Sequence, residues 1–185
     1  MPHRAFIGVG SNLGDRRANI AEALTRVGQM PGSRILRTSS LYESEPHGPA
    51  RNWFANLVFE FETELQPQDL LKRLNAIEEQ MGRKRPGAKA VPAKSPKGAK
   101  AAKPAPKAKK DVSRVIDLDI LFFNTEVINS RNLKVPHPEI ARRRFVLMPL
   151  AEVAPQLVHP ELGQTVSRML ATTEDRKRVT LMPPH

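Results

Sequence analysis

Residues 115–123 read VIDLDILFF, and this run constrains the fold more than any other stretch of the chain. Apolar side chains fill both alternations, β-branched at the start and aromatic at the end, which predicts a strand covered on both faces. Asp117 and Asp119 interrupt it. Side chains alternate along a strand, so the two carboxylates point the same way, with Cα atoms roughly 6–7 Å apart. Two ionised carboxylates at that spacing repel, and burying either one alone is costly. The pair therefore needs cations, either arginine and lysine partners or metal ions. These residues alone leave both open.

The formal net charge of +11 invites a nucleic-acid partner, so its location matters. Residues 83–114 hold twelve Lys/Arg against one acid, Asp111, and the rest of the chain balances at 18 basic and 18 acidic residues. Within that segment Val91 is the only larger apolar side chain between Pro86 and Lys110. Such a composition cannot bury enough surface to offset ordering, and its prolines forbid a long helix. We expect a single domain over residues 1–185 carrying a disordered Lys/Ala/Pro-rich insertion at 86–110. At 185 residues the chain is long enough for a substantial core. It contains no cysteine, which excludes a disulfide framework and a thiolate site. No apolar run approaches the roughly 18–20 residues of a membrane helix, and the first residues lack a signal peptide's apolar core. A cytoplasmic, monomeric protein with no membrane partner is expected.

Along the chain, residues 4–9 read as a strand entering a turn at GSNLGD, and Ile20, Leu24 and Val27 follow at helical spacing over 15–29. The β-rich stretch 35–43 and a Pro/Gly loop precede a strand at 54–63, where Leu57, Phe59 and Phe61 take one face and Phe54, Asn56 and Val58 the other. Residues 67–81 form an amphipathic helix with Pro67 at its start, Leu70, Leu74, Ile77 and Met81 in stripe, and Gly82 as its stop. After the aspartate strand come a short strand at 126–130 and helical stretches at 145–154 and 164–172. The order β-α-β-β-α-β predicts an α+β, ferredoxin-like sandwich with additional C-terminal helices.

Each candidate site residue has a bland reading. The glycines of GVGSNLGD are spaced one residue too far apart for a dinucleotide fingerprint and read as a strand-to-helix turn. Asn75 and Glu78 are neighbours on one helix face, at the edge of the core stripe. Asn56 presents an amide beside Phe54, a pairing suited to a flat heterocycle that both donates and accepts, or simply to a strand start. His137 is pinned between Pro136 and Pro138, and Arg143 lies in a run of three arginines that is either a solvated face or a fork for phosphate oxygens. Together they form what a metal-assisted transfer between a polyphosphate and a flat ring needs.

With these residues assembled, the sequence resembles the 6-hydroxymethyl-7,8-dihydropterin pyrophosphokinases of folate biosynthesis. The likeness is carried by GSNLGD, by SSLYES-x-P-x-G followed by FAN, by IEEQMGRKR, by DLDILFF and by VPHPEIARRRFVLMPLAEVAP. It implies transfer of the β,γ-pyrophosphoryl group of ATP to the pterin hydroxymethyl oxygen, with release of AMP. It also implies two Mg²⁺ ions held by Asp117 and Asp119, with ATP as co-substrate. By the same resemblance Phe54 and Phe145 stack on the pterin, Asn56 reads its edge, and Ser44 and Pro46 complete the pocket through their loop. Asn75, Glu78, His137 and Arg143 are implied as nucleotide contacts. Arg83, Arg85 and Arg114 are implied to meet the phosphates, Arg85 and Arg114 as catalytic groups. Many members carry Arg-Trp-Gly-Pro-Arg just before the aspartate strand; here DVSR stands there, and the sole tryptophan is Trp53.

Two rival classes are a metal-dependent hydrolase using the same aspartates with water as acceptor, and a nucleic-acid-binding module with the basic segment as tail. The second would bind through that tail in a salt-dependent, sequence-blind way, and no specific nucleic-acid partner is expected.

Overall fold

The computed structural model describes residues 1–46, 52–83 and 114–183; the predicted insertion at 86–110 lies outside them. The first strand, β1 (His3–Ser11), runs beyond the predicted 4–9 because Gly10 and Ser11 continue its pairing instead of opening a turn. The turn comes at Gly14, whose φ of +62° suits a residue without a side chain. Asp15 then accepts from the Ala18 amide at 3.0 Å and starts α1 (Arg16–Gly28), which buries Ile20, Ala23 and Val27.

The β-rich stretch at 35–43 divides into β2 (Ser33–Thr38) and β3 (Tyr42–Ser44). Both pair with β4 (Phe54–Thr63), so they behave as one broken strand. Ser39 bridges the break: its amide donates to Val58 O at 2.8 Å, and its hydroxyl accepts from the Val58 amide at 3.0 Å. A side chain here stands in for a missing backbone acceptor. The second helix, α2 (Pro67–Gln80), buries Leu70, Leu74 and Ile77 as its stripe predicts, and buries Glu78 as well.

The aspartate strand, β5 (Asp117–Phe123), pairs antiparallel with β1, whose other edge holds β4. The resulting order is β5-β1-β4 and then β2 and β3, all antiparallel, as a split βαββαβ plan requires. A short hairpin follows, β6 (Ile128–Asn129) and β7 (Lys134–Val135), then a 3-10 turn at Ile140–Arg142 and two helices, α3 (Arg144–Val153) and α4 (Val166–Thr172). A last strand, β8 (Val179–Leu181), pairs with β3. No helix among the described residues is long and apolar enough to cross a membrane.

Both sheet faces are covered. Leu57, Phe59, Phe61, Leu118 and Ile120 pack under α1 and α2; Phe6, Val58, Leu121 and Phe122 pack under α3 and α4. The register between β1 and β5 slips at Phe6/Ile7, leaving Leu121 as the extra residue of a bulge. Leu121 and Phe122 therefore share a face despite being adjacent. The helices α3 and α4 cover only part of their face. Over the rest lie Gly8, Gly10, Asn56, Asp117 and Asp119, which line an open cleft.

Candidate active site

The floor of this cleft is set by cross-strand pairing. Gly8 stands opposite Asp119 and Gly10 opposite Asp117, so β1 adds no side chain beside the two carboxylates. A Cβ at Gly10 would meet Asn56 Oδ1 at 3.4 Å and Phe54 Cδ1 at 3.8 Å. One wall is Phe54 and Asn56 from β4 with Ser44 from β3; the facing wall is Phe145, in the first turn of α3. The buried Asn56 amide donates through Nδ2 to Ser44 Oγ at 2.8 Å, which fixes its orientation. The Arg143 guanidinium lies 5.8 Å from the Phe145 ring centroid. The cleft is open to solvent; about 840 Å³ of empty space lies in it and its mouth together.

A second cleft opens beside it, lined by Asn75, Glu78 and Arg83 at the end of α2 and by Arg131 and Lys134 from the β6–β7 hairpin. The two clefts share Asp119 and His137. The paired acids thus stand where an aromatic–amide pocket meets a cationic one.

The charges are unevenly matched. Asp117 accepts from Arg83 Nη1 at 2.6 Å through Oδ1, and pairs with Arg114 through Oδ2. Glu78 is only 1% exposed; it pairs with the same Arg83 and accepts the Leu118 amide at 2.7 Å. Arg114 is held by its backbone, donating to Asn12 Oδ1 at 2.6 Å and accepting from the Asn12 amide at 3.1 Å. Asp119 is pushed up to about 7 by burial and by the charges of Asp117 and Glu78, against the pull of Arg114 and Arg83. Burial and Arg143 hold His137 below its ordinary value. His137 Nδ1 accepts from the Glu139 amide at 3.3 Å, so the neutral ring carries its proton on Nε2 and presents a donor there.

Two carboxylates on one strand face form an oxygen-only donor set that suits a hard divalent cation. Such an ion typically takes one or two protein carboxylates and completes its shell with water and phosphate oxygens. Among the described residues no group of three His, Cys, Asp or Glu side chains is arranged to hold a metal alone. The pair fits Mg²⁺ as a metal shared with substrate.

Most of the residues singled out from sequence therefore come together. Ser44, Phe54, Asn56, Phe145, Arg114 and both aspartates line the first cleft, and Asn75, Glu78 and Arg83 the second. Arg143, expected with the nucleotide contacts, lines the first cleft, and His137 lines both. Pro46 does not line either cleft; its carbonyl accepts from the Lys177 ammonium. Arg85 lies outside the described residues. Gly8, Gly10, Arg131 and Lys134 were not anticipated. Two glycines spaced two apart in a strand mirror the two aspartates, a signal legible once β1 is extended to Ser11.

A family model described as 7,8-dihydro-6-hydroxymethylpterin-pyrophosphokinase (HPPK) matches residues 6–155. The chain is 32% identical over 180 residues to the 2-amino-4-hydroxy-6-hydroxymethyldihydropteridine pyrophosphokinase of Haemophilus influenzae, covering 97% of this chain and 98% of that protein. It is 34% identical over 179 residues to the Pneumocystis carinii folic acid synthesis protein fol1, covering 96% of this chain but only 21% of that much longer relative. Among solved structures, a Plasmodium falciparum HPPK-DHPS superposes with a TM-score of 0.66 at 15% identity, over 92% of this chain and 43% of that one. That likeness concerns the fold.

Proposed function

We propose that this chain, which belongs to the 7,8-dihydro-6-hydroxymethylpterin-pyrophosphokinase family, transfers the pyrophosphoryl group of ATP to the hydroxymethyl group of 6-hydroxymethyl-7,8-dihydropterin in folate biosynthesis. The observation that carries this reading is the meeting of the two clefts at Asp119 and His137. The hydroxymethyl oxygen attacks the β-phosphorus, the bond from that phosphorus to the oxygen bridging the α-phosphate breaks, and AMP leaves. The hydroxyl proton passes to water.

Phe54 and Phe145 sandwich the pterin, and Asn56, oriented by Ser44, reads its edge. Asn75, Glu78, His137, Arg131 and Lys134 surround the nucleotide. Arg83, Arg85 and Arg114 face the phosphates. Asp117 and Asp119 would hold two Mg²⁺ ions, which would supply neutralisation of phosphate charge and a lowered pKa for the acceptor hydroxyl. Transfer of this kind is mostly positioning and electrostatic stabilisation, so several arginines and no covalent nucleophile suffice. We read residues 1–185 as one domain, monomeric and cytoplasmic, with 86–110 as an insertion in it and small molecules as its partners.

The test is incubation with ATP and Mg²⁺, with and without the hydroxymethylpterin. AMP released only when the pterin is present supports the transferase. Equal nucleotide breakdown without it identifies a hydrolase.

A further inference from the structure

Residues 175–181 lie beyond the stretch matched by the family model, yet they brace both walls of the first cleft. The strand β8 pairs with β3, placing Val179 opposite Ser44. Just ahead of it, the Glu45 amide donates to Arg178 O at 3.1 Å, and the Arg178 amide donates to Glu45 Oε2 at 3.2 Å. The Lys177 ammonium donates to the Pro46 carbonyl. The Arg178 guanidinium lies 5.9 Å from the centroid of Trp53, the residue before Phe54.

The opposite wall is tied to the same segment by one side chain. Arg143 occupies the N-cap position of α3 and makes no side-chain cap bond. Asp175 supplies the cap from a distance: its Oδ2 accepts the Arg144 amide at 2.8 Å, next to Phe145. Its Oδ1 accepts the Lys177 amide at 3.1 Å. A carboxylate at a helix N-terminus satisfies an orphan donor and complements the helix dipole. Here it also joins the turn that carries Phe145 to the segment that holds the Ser44–Pro46 loop.

We propose, resting on the function stated above, that Asp175 is a positioning residue for the pterin, setting the separation between the Phe145 wall and the Phe54–Asn56 wall. A ring stacked between two aromatic faces needs them about 7 Å apart, twice an ordinary carbon–carbon contact. A wall held in place before the ligand arrives accepts a flat heterocycle without first paying to order around it.

Steady-state kinetics and separate titrations with the hydroxymethylpterin and an ATP analogue test this in the full chain, comparing wild type with Asp175→Ala, Asp175→Asn and Lys177→Met. We expect Asp175→Ala to raise the pterin KM and Kd about tenfold while ATP binding changes less than about twofold. Asp175→Asn, which keeps a carbonyl acceptor for the Arg144 amide, should recover most of the loss. Lys177→Met leaves the helix cap untouched and should still raise the pterin KM, so the role stays testable if Asp175→Ala fails to fold. An unchanged pterin KM in Lys177→Met and Asp175→Ala, or equal weakening of both ligands in the variants, overturns the positioning role alone. Failure of wild type to bind the pterin removes the function reading, and this role with it.

Discussion

Asp117 and Asp119 project from one face of β5, yet Arg83 and Arg114 both close on Asp117, while Asp119 is pushed up to about 7. The two carboxylates therefore differ in what they do for the metal-free fold. Asp119 moves from an ordinary 3.8 to about 7, chiefly through burial and then through Asp117 and Glu78. Between those values the folded state binds more protons than the unfolded chain, so stability falls as pH rises from about 4 to 7. Asp119→Asn removes that loss. It should be more stable than wild type without Mg²⁺ at neutral pH, by up to about 4 kcal/mol, with the difference vanishing below about pH 4.

Asp117→Asn should act in the opposite direction, because it leaves two arginines around an uncharged amide. A loss of about 1–2 kcal/mol is expected. Both variants should lose most turnover. Urea unfolding from pH 4 to 8 without Mg²⁺, beside activity with it, checks the pair; an Asp119→Asn protein weaker than wild type at pH 8 would make that acid a structural partner.

Asn56→Ala should weaken the pterin far more than ATP. The amide is buried and already oriented by Ser44, so its loss leaves ring-edge partners unmatched, at a cost of roughly 1–3 kcal/mol. Ser44→Ala should give a smaller loss of the same kind, since the amide stays but is no longer held. Calorimetry with each ligand decides. Equal losses for both ligands in Asn56→Ala would mean a folding defect.

Gly10→Ala should leave the fold intact and impair the pterin site. The new methyl group would stand 3.4 Å from Asn56 Oδ1, in ordinary contact, but it would fill cleft floor that the ring otherwise uses. We expect wild-type melting behaviour and pterin affinity lower by about tenfold, or roughly 1.4 kcal/mol. Unchanged affinity would place the ring away from β1.

The parts of this molecule that were legible in sequence are those governed by local period. The alternation in β4 sorts Leu57, Phe59 and Phe61 from Asn56 and Val58, and the stripe of α2 sorts its core from its edge. The same alternation places Asp117 and Asp119 together. What escaped depends on distant partners. Ser39 breaks one β-rich run in two because its hydroxyl replaces a backbone acceptor for Val58. The strand β8 is short and has no pattern of its own; only pairing with β3 makes it a strand. Arg131 and Lys134 look like ordinary surface cations until the hairpin sets them at the second cleft. Asp175 carries no motif, and its role exists only because the chain returns to the start of α3.

The basic segment between Arg83 and Arg114 should be dispensable for folding. Both residues pair with Asp117, so the ends of that segment are held close together, and a short linker can join them. Replacing residues 87–109 by a few Gly/Ser residues should leave folding and pterin binding unchanged. The removed stretch has one larger apolar side chain, Val91, to offer a core, and loop-closure entropy varies slowly with length. It also removes seven lysines and no acid. In sequence those charges lie between Arg83 and Arg114, which line the clefts we assign to the substrates of a highly anionic transfer. A cationic segment there raises the local concentration of ATP and speeds capture, an effect that falls as salt screens it over a Debye length of roughly 10 Å at 0.1 M. We therefore expect the shortened protein to associate with ATP more slowly at low ionic strength, with the two rates converging at high salt. Stopped-flow binding across a salt series is the measurement. Identical rates at low salt would leave the segment no part in capture, and normal binding with lost turnover would assign it to the chemical step instead.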